Sequence, residues 1–491
     1  MDFQLDIKIS NLGKIKNVDL SINRATIFAG LNSTGKSYVS KFLYSLLDSF
    51  NVDLKVAYLQ RMDKKLIKCL SEITFPKTIY KKSDKGTLGF ALEHFDLMFN
   101  INGRRDNFSS EIQLVSEETR GNDDKVEKLV KKHIVKTKKS LRIIEELFGE
   151  LEITKHMVKS EVAKHNKQIK GLKKTIEKME KICDKMMSFE DFYNDQENIK
   201  KTYEVRLAHN LTHNFQVRKL TKLIGAKKKE NAIVELSIAN GGKNKIKCQI
   251  KPDGSVTLDY DGKVSPLTYI QKFSRVIYLE SPIYSKLEKP VSRRISSRFI
   301  TDDAEDILSG VPEYFFDLLD VMYLDRAGNS KIKLNLEKIV DGKIFRDDRN
   351  VLVYQEKSTK EVYPLTATST GIIQLAFLAY LVESQVITKD AVVFMDEPEA
   401  HLHPNWQQVM MESLFSLVAQ GVNVVIATHS PHNIQWLEAE MSEDDELEEH
   451  VSLNHFQKNG IIKKNKSTNS ACNKVLMELT EEFANQYLRS L

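Results

Sequence analysis

The chain has 491 residues, 41% of them hydrophobic and 29% charged, enough for a sizeable core and more than one structural unit, which excludes a chain disordered throughout. Its net charge of +5 permits an anionic partner without demanding one. Four scattered cysteines (Cys69, Cys183, Cys248, Cys472) exclude a CxxC zinc site and a dense disulfide framework, and fit a reducing cytosol.

The N-terminal MDFQLDIKIS carries acids and no apolar core of signal-peptide length, and no window approaches the roughly 18 uninterrupted apolar residues of a spanning helix. The expectation is a soluble, cytoplasmic protein with no membrane partner. Phe3, Leu5, Ile7 and Ile9 share one face of an alternating run, and Ile15, Val18 and Leu20 lie in a second. Both predict sheet strands. Thr26-Ile27-Phe28-Ala29 reads as a buried strand that runs directly into Gly30-Leu31-Asn32-Ser33-Thr34-Gly35-Lys36-Ser37, followed by the helical run YVSKFLYSLL. That fits G-x-x-x-x-G-K-[ST] in every fixed position and in its strand, loop and helix context. Gly30 and Gly35 let the loop N–H groups, including those of Asn32, Ser33 and Thr34, turn toward a phosphate. Lys36 reaches the β and γ oxygens, and Ser37 offers a hydroxyl to Mg²⁺ at a helix N-terminus.

Residues 51–118 hold a helical piece and short apolar runs with no assignable chemistry. From about Lys125 to Met187 the composition shifts to Lys and Glu, and apolar residues from Ile134 through Leu141, Ile144, Phe148, Leu151, Val158, Val162, Ile169, Leu172, Ile176, Met179 and Cys183 to Met186 keep a three-and-four register. That predicts a coiled-coil seam, with a turn near Gly149 competing with one long helix. The stretch from Glu190 to Leu223 is expected to supply an antiparallel return. The lysines of this region either grip a phosphate backbone or form a solvated helix face, and interspersed acids favour the second.

From Ala232 to Tyr260 the period becomes two, predicting hairpins. A strand over Arg275–Leu279, an acidic helix start at Thr301, an apolar helix over Tyr314–Leu324, and strands near LEKIV and NVLVYQ follow. Asp302, Asp303, Glu305 and Asp306 are read as first-turn acids rather than metal ligands. Thr368-Ser369-Thr370-Gly371 precedes the apolar helix IIQLAFLAYLV, a phosphate-binding helix end or a simple N-cap. Ala391–Met395 forms a buried strand delivering Asp396 and Glu397 at its carboxyl end, where Asp396 suits a metal ligand and Glu397 a base for an attacking water. Val422–Ala427 forms a second buried strand ending in Thr428-His429-Ser430, whose imidazole can donate to a γ-phosphate or the water. An acidic loop (SEDDELEE), strands VSLNHF and GIIKK, and a closing helix complete the chain.

Taken together, GLNSTGKS, TSTG, FMDEPEAHLHP and VVIATHSP resemble, in order and spacing, an ABC-type ATPase head of the SMC, RecF, Rad50 and overcoming-lysogenisation-defect branch. The resemblance covers about residues 1–48 and 230–491. It implies an α/β P-loop head, a mixed sheet with an antiparallel β subdomain, interrupted by a helical coiled-coil insertion: head residues 1–48, an associated segment 49–118, the insertion 119–226 and head residues 227–491. It further implies that Gly30, Gly35, Lys36 and Ser37 are Walker A, Asp396 and Glu397 Walker B, His429 the switch histidine, Ser369 and Gly371 the signature, and Leu402-His403-Pro404 the D-loop. ATP and Mg²⁺ are the implied ligands. ATP sandwiched between Walker A of one subunit and Ser369 of another would join two heads in a homodimer or higher homo-oligomer. The signature reads TSTGI, without the double glycine, and the chain lacks both a zinc hook and a Toprim nuclease motif. That directs the resemblance to stand-alone ATPase subunits of bacterial anti-phage systems of the PARIS and Septu kind, with a separate toxin or nuclease as effector and a phage-derived trigger. The alternative is a RecF-like clamp on DNA.

Overall fold

The computed structural model describes residues 4–71, 123–149, 159–187, 195–238, 245–260, 270–280, 310–323, 332–334, 336, 339–349, 351–464 and 468–490. The chain divides into two units: residues 1–51, 203–293 and 306–491 form one, and residues 52–202 with 294–305 the other. Two alternating strands open the first unit, β1 (Leu5–Leu12) and β2 (Ile15–Ile22), and both bury their apolar face. The strand β3 (Ala25–Ala29), buried on both faces, leads through the glycine-lysine loop into α1 (Lys36–Phe50).

The second unit is helical, with α2 (Leu54–Ser71), α3 (Asp123–Gly149), α4 (Lys159–Met187) and the start of α5 (Gln196–Asn214). On α3 the buried residues are Val126, Val130, Ile134 and Leu141, and on α4 they include Leu172, Ile176, Met179, Cys183 and Met186. These spacings of three, four and seven keep one stripe of each helix away from water. The side chains of Ile144, Phe148, Leu151, Val158, Val162 and Ile169 lie outside the described residues, as do the acids at 302–306. Polar contacts supplement the stripe. His133 Nε2 lies 3.4 Å from Asp63 Oδ1, and Lys138 Nζ 2.8 Å from Asp184 Oδ1.

Returning to the first unit, α5 is tied to α1, where Asp48 Oδ2 accepts from Asn210 at 2.8 Å and from Arg206 at 3.2 Å. The expected hairpins appear as β4 (Ala232–Ile238), β5 (Lys245–Ile250) and β6 (Val256–Asp259), which join β1 and β2 in an antiparallel sheet of order β2-β1-β4-β5-β6. Next come β7 (Val276–Leu279) and α6 (Glu313–Tyr323), then a small antiparallel sheet of β8 (Gly342–Arg346), β9 (Leu352–Glu356) and β10 (Val362–Pro364). Of the strand expected near LEKIV, residues 337 and 338 lie outside the described residues. Its described residues are irregular and turn at 339–341, because Ile339 and Val340 close a turn on the Leu336 carbonyl, and the strand starts instead at Gly342.

The remaining elements are α7 (Thr370–Glu383), β11 (Val392–Asp396), α8 (Pro404–Ala419), β12 (Asn423–Thr428), α9 (Pro431–Glu443), α10 (Asp445–His450), β13 (Val451–Phe456), β14 (Ile462–Lys464) and α11 (Thr468–Ser490). The stretch SEDDELEE, expected as a loop, is helical apart from a break at Asp444, whose carboxylate accepts from the Leu447 N–H at 3.3 Å and so starts α10. The central sheet has the order β14-β13-β3-β12-β11-β7, parallel except for the edge strand β14. Strands β3, β11 and β12 are buried on both faces, which explains their unbroken apolar runs. The fold is therefore the expected α/β head, with a parallel central sheet and an antiparallel subdomain. Among the described residues, no helix is long and apolar enough to cross a membrane.

Candidate active site

Parallel register brings four strand ends level. Ala29 lies opposite Thr428, Ala427 opposite Asp396, and Met395 opposite Leu279, so the residues that follow β3, β12, β11 and β7 share one edge. Chemistry at the carboxyl ends of a parallel sheet is the rule for such folds.

At the first of these ends, Gly30 has φ of 150° and a Cβ on it would lie 2.2 Å from the Phe456 carbonyl oxygen, so no larger residue fits between β3 and β13. Ser33 also has positive φ, at 64°. Asn32 and Ser33 are exposed, whereas Thr34 is buried and its hydroxyl donates to the Leu31 carbonyl at 2.8 Å. Gly35 caps α1 in the left-handed region. Lys36 lies back over the loop, its Nζ donating to the carbonyls of Gly30 at 2.8 Å and Leu31 at 2.9 Å. Burial pulls its pKa down, opposed by the negative charges of Glu397, Asp396 and Glu399.

One residue further, the Ser37 hydroxyl donates to Asp396 Oδ1 at 2.9 Å, joining the start of α1 to the end of β11 across β12. The other carboxylate oxygen accepts from Tyr278 Oη at 3.1 Å. Asp396 is 5% exposed, and burial pushes its pKa up to about 6, against the lowering effect of the Ser37 hydrogen bond. Glu397 follows with φ of 52°, a left-handed conformation unusual for a glutamate, of the kind that accumulates at functional sites. Its side chain is 47% exposed. His429, past β12, places Nδ1 3.6 Å from Glu397 Oε1 and 3.4 Å from Glu399 Oε1.

The residues expected to form the signature stand apart from this cluster. Ser369 is exposed at the N-cap of α7 without a side-chain cap, and Gly371 is buried with its would-be Cβ 2.9 Å from the His401 carbonyl oxygen. Among the described residues, no hydrogen bond or ion pair links Ser369 to residues 30–37. The structure thus brings Lys36, Ser37, Asp396, Glu397 and His429 together and leaves Ser369 outside. In the expected D-loop, His403 caps α8 through Nδ1, with Pro404 at its first position.

Several partners were not apparent from the sequence. Tyr278 and Glu280 arrive with β7, where Glu280 pairs with Lys41 of α1 at 2.7 Å and accepts from the Tyr314 hydroxyl. Their only sequence signal was a buried strand ending in an acid, as β11 does. Glu399 lies inside the DEPEAHLHP stretch, where its role depends on contacts with β12 and α9.

Strand, glycine loop and helix, with a serine bound to the terminal carboxylate of a non-adjacent parallel strand, define a P-loop nucleotide triphosphatase head. Residues 5–434 match the AAA ATPase domain family, and the chain belongs to it. A 63-residue stretch is 40% identical to the Old nuclease of Escherichia phage P2, and this match spans 12% of the chain and only 11% of that protein. The chain is also similar to two solved structures. An Smc head domain with an extended coiled coil, bound to the C-terminal domain of ScpA and derived from Pyrococcus furiosus, has 11% identity and a TM-score of 0.38 over 98% of this chain and 100% of that one. The SMC head domain from Thermotoga maritima has 15% identity and a TM-score of 0.25 over 50% and 80%.

Proposed function

We propose that this chain is a cytoplasmic ATP-hydrolysing switch of the SMC and overcoming-lysogenisation-defect type, whose nucleotide state controls a separate effector protein. The observation that carries the reading is the 2.9 Å contact between Ser37 and Asp396, 359 residues apart in sequence, which supports their acting together on a metal nucleotide. A hydroxyl and a buried carboxylate are hard oxygen donors, and a carboxylate made costly by burial fits a small divalent cation. Ser37 and Asp396 would hold Mg²⁺, which supplies charge neutralisation on the phosphates when bound.

The loop N–H groups of residues 30–35 would cradle ATP phosphates, and Lys36 would exchange the carbonyls of Gly30 and Leu31 for the β and γ oxygens. Glu397, exposed beside them, would take the proton of the attacking water, with His429 donating to the γ-phosphate side. Ser369 and Gly371 would complete the site of another copy, consistent with an exposed serine unconnected to its own loop. Closure then depends on a contact made to both halves at once, so ATP favours the joined state. The effector, in this reading, is a toxin or nuclease released or restrained on a phage-derived signal.

Glu397→Gln is expected to bind ATP and lower turnover at least about a hundredfold, whereas Lys36→Ala loses nucleotide binding. Phosphate release and retention of labelled ATP measure both, and wild-type turnover in Glu397→Gln overturns the role of that carboxylate. A DNA clamp is the second reading, supported by the exposed cations Lys128, Lys132, Lys136 and Lys139 on α3, a stretch that has no interspersed acid over residues 128–144. It requires DNA affinity that falls with salt and rises with ATP.

A further inference from the structure

Glu399 is a buried carboxylate for which the chemistry above has no use. It lies two residues past Glu397 in the loop after β11, with its side chain 5% exposed. Its Oε1 accepts from the Thr428 hydroxyl at 2.7 Å, the His429 N–H at 2.9 Å and the Ser430 N–H at 3.1 Å, and its Oε2 accepts from Asn433 Nδ2 at 3.0 Å. Ser430, the N-cap of α9, provides no side-chain cap and directs its hydroxyl to Gln407 Oε1 instead. Glu399 thereby ties down, from another loop, the backbone N–H groups of His429 and Ser430 that lead into α9, at the helix end where negative charge is favoured. His429 Nδ1 makes no well-formed hydrogen bond. The imidazole stands between two carboxylates, 3.4 Å from Glu399 and 3.6 Å from Glu397.

We infer that Glu399 is a positioning residue for ATP hydrolysis, a role that rests on the ATPase reading above. By fixing the main chain of His429 and setting a second carboxylate 3.4 Å from Nδ1, it competes with Glu397 for the imidazole and leaves Glu397 free to accept a proton from water. Without this anchor, Glu397 is the carboxylate left beside Nδ1, and a hydrogen bond there would occupy the base. The loop is also held from the signature side. Gln374 of α7 donates to the Pro398 carbonyl at 2.8 Å, and Gly371 packs against the His401 carbonyl. Consequently α7, which presents Ser369, and the start of α9, which follows His429, both bear on residues 398–401.

The test uses the full chain and compares wild type, Glu399→Gln, and the exchange Glu399→Gln/Asn433→Asp, with Lys36→Ala as the control without nucleotide binding. Glu399→Gln sets an amide N–H against that of Asn433, so that Asn433 either keeps an opposed donor or flips its amide and loses its donation to Thr428 Oγ1 at 3.1 Å, disturbing the anchor in both cases. The exchange restores a donor and an acceptor at that contact while the amide oxygen still accepts from His429. Expected for Glu399→Gln is a kcat roughly ten- to a hundredfold lower, with KM for ATP within about twofold of wild type. The exchange should recover both the thermal midpoint and kcat to within about threefold. A Glu399→Gln protein that loses thermal stability yet keeps wild-type kcat per folded molecule overturns the positioning role, as does an exchange that recovers the midpoint but not kcat. Wild-type turnover no higher than that of Lys36→Ala overturns the ATPase reading together with it, and is thus distinguishable from failure of the positioning role alone.

Discussion

Asp396 sits where burial works against its charge, and two hydroxyl donors only partly offset that. Between its usual pKa of 3.8 and its raised value of about 6, the folded chain holds a proton that the unfolded chain has released, so stability falls as pH rises through this window. Above it the full cost applies, on the order of 2–3 kcal/mol. In metal-free protein with chelator, Asp396→Asn should therefore melt higher than wild type at pH 8, with the difference shrinking as pH falls from 6 toward 4. Thermal midpoints across that range check it, and a pH-independent difference would mean that the carboxylate is not the source. At this scale the sequence exposed the principal groups, since Lys36, Ser37, Asp396, Glu397 and His429 sit in short recognisable strings. It did not expose Tyr278, which arrives with β7, or the contacts of Glu399, whose partners end β12, follow it or lie on α9.

Among the elements, β3 and its loop are the most constrained. The Phe456 carbonyl lies 2.2 Å from a Cβ on Gly30, and β13 pairs with β3 along its length, so Gly30→Ala forces the two strands apart or reshapes the loop. The expected cost is about 1–3 kcal/mol, read by urea unfolding, together with loss of ATP binding. An alanine variant of wild-type stability and affinity would show that the loop relaxes freely. Strands with runs on both faces or strict alternation were legible because burial pattern and periodicity coincide there. Near LEKIV the strand starts later than its pattern suggests, at Gly342, since three apolar residues around Glu337 and Lys338 do not distinguish a strand from a turn held by the Leu336 carbonyl.

For the whole molecule, the proposed head pairing makes a complementation experiment decisive. Lys36→Ala lacks a working glycine-lysine loop and Ser369→Arg a working signature. If ATP is enclosed by two copies, each should be inactive alone, while an equimolar mixture should regain about a quarter of wild-type turnover, because half the dimers are mixed and each mixed dimer has one intact site. No activity above the sum of the two preparations would mean that each chain completes its own site. Light scattering of Glu397→Gln with and without ATP reports the same assembly by mass.

The sequence by itself determined the class of the head, because phosphate binding at a helix N-terminus and a buried parallel sheet impose residue types that survive as contiguous strings. Only the tertiary structure decided that Ser37 meets Asp396, that Tyr278 and Glu280 join the site edge, and that His429 stands between Glu397 and Glu399. Those relations depend on parallel register between strands far apart in sequence, from 31 residues between Val392 and Asn423 to 399 between Ala25 and Val424, and no local periodicity encodes which strand lies beside which.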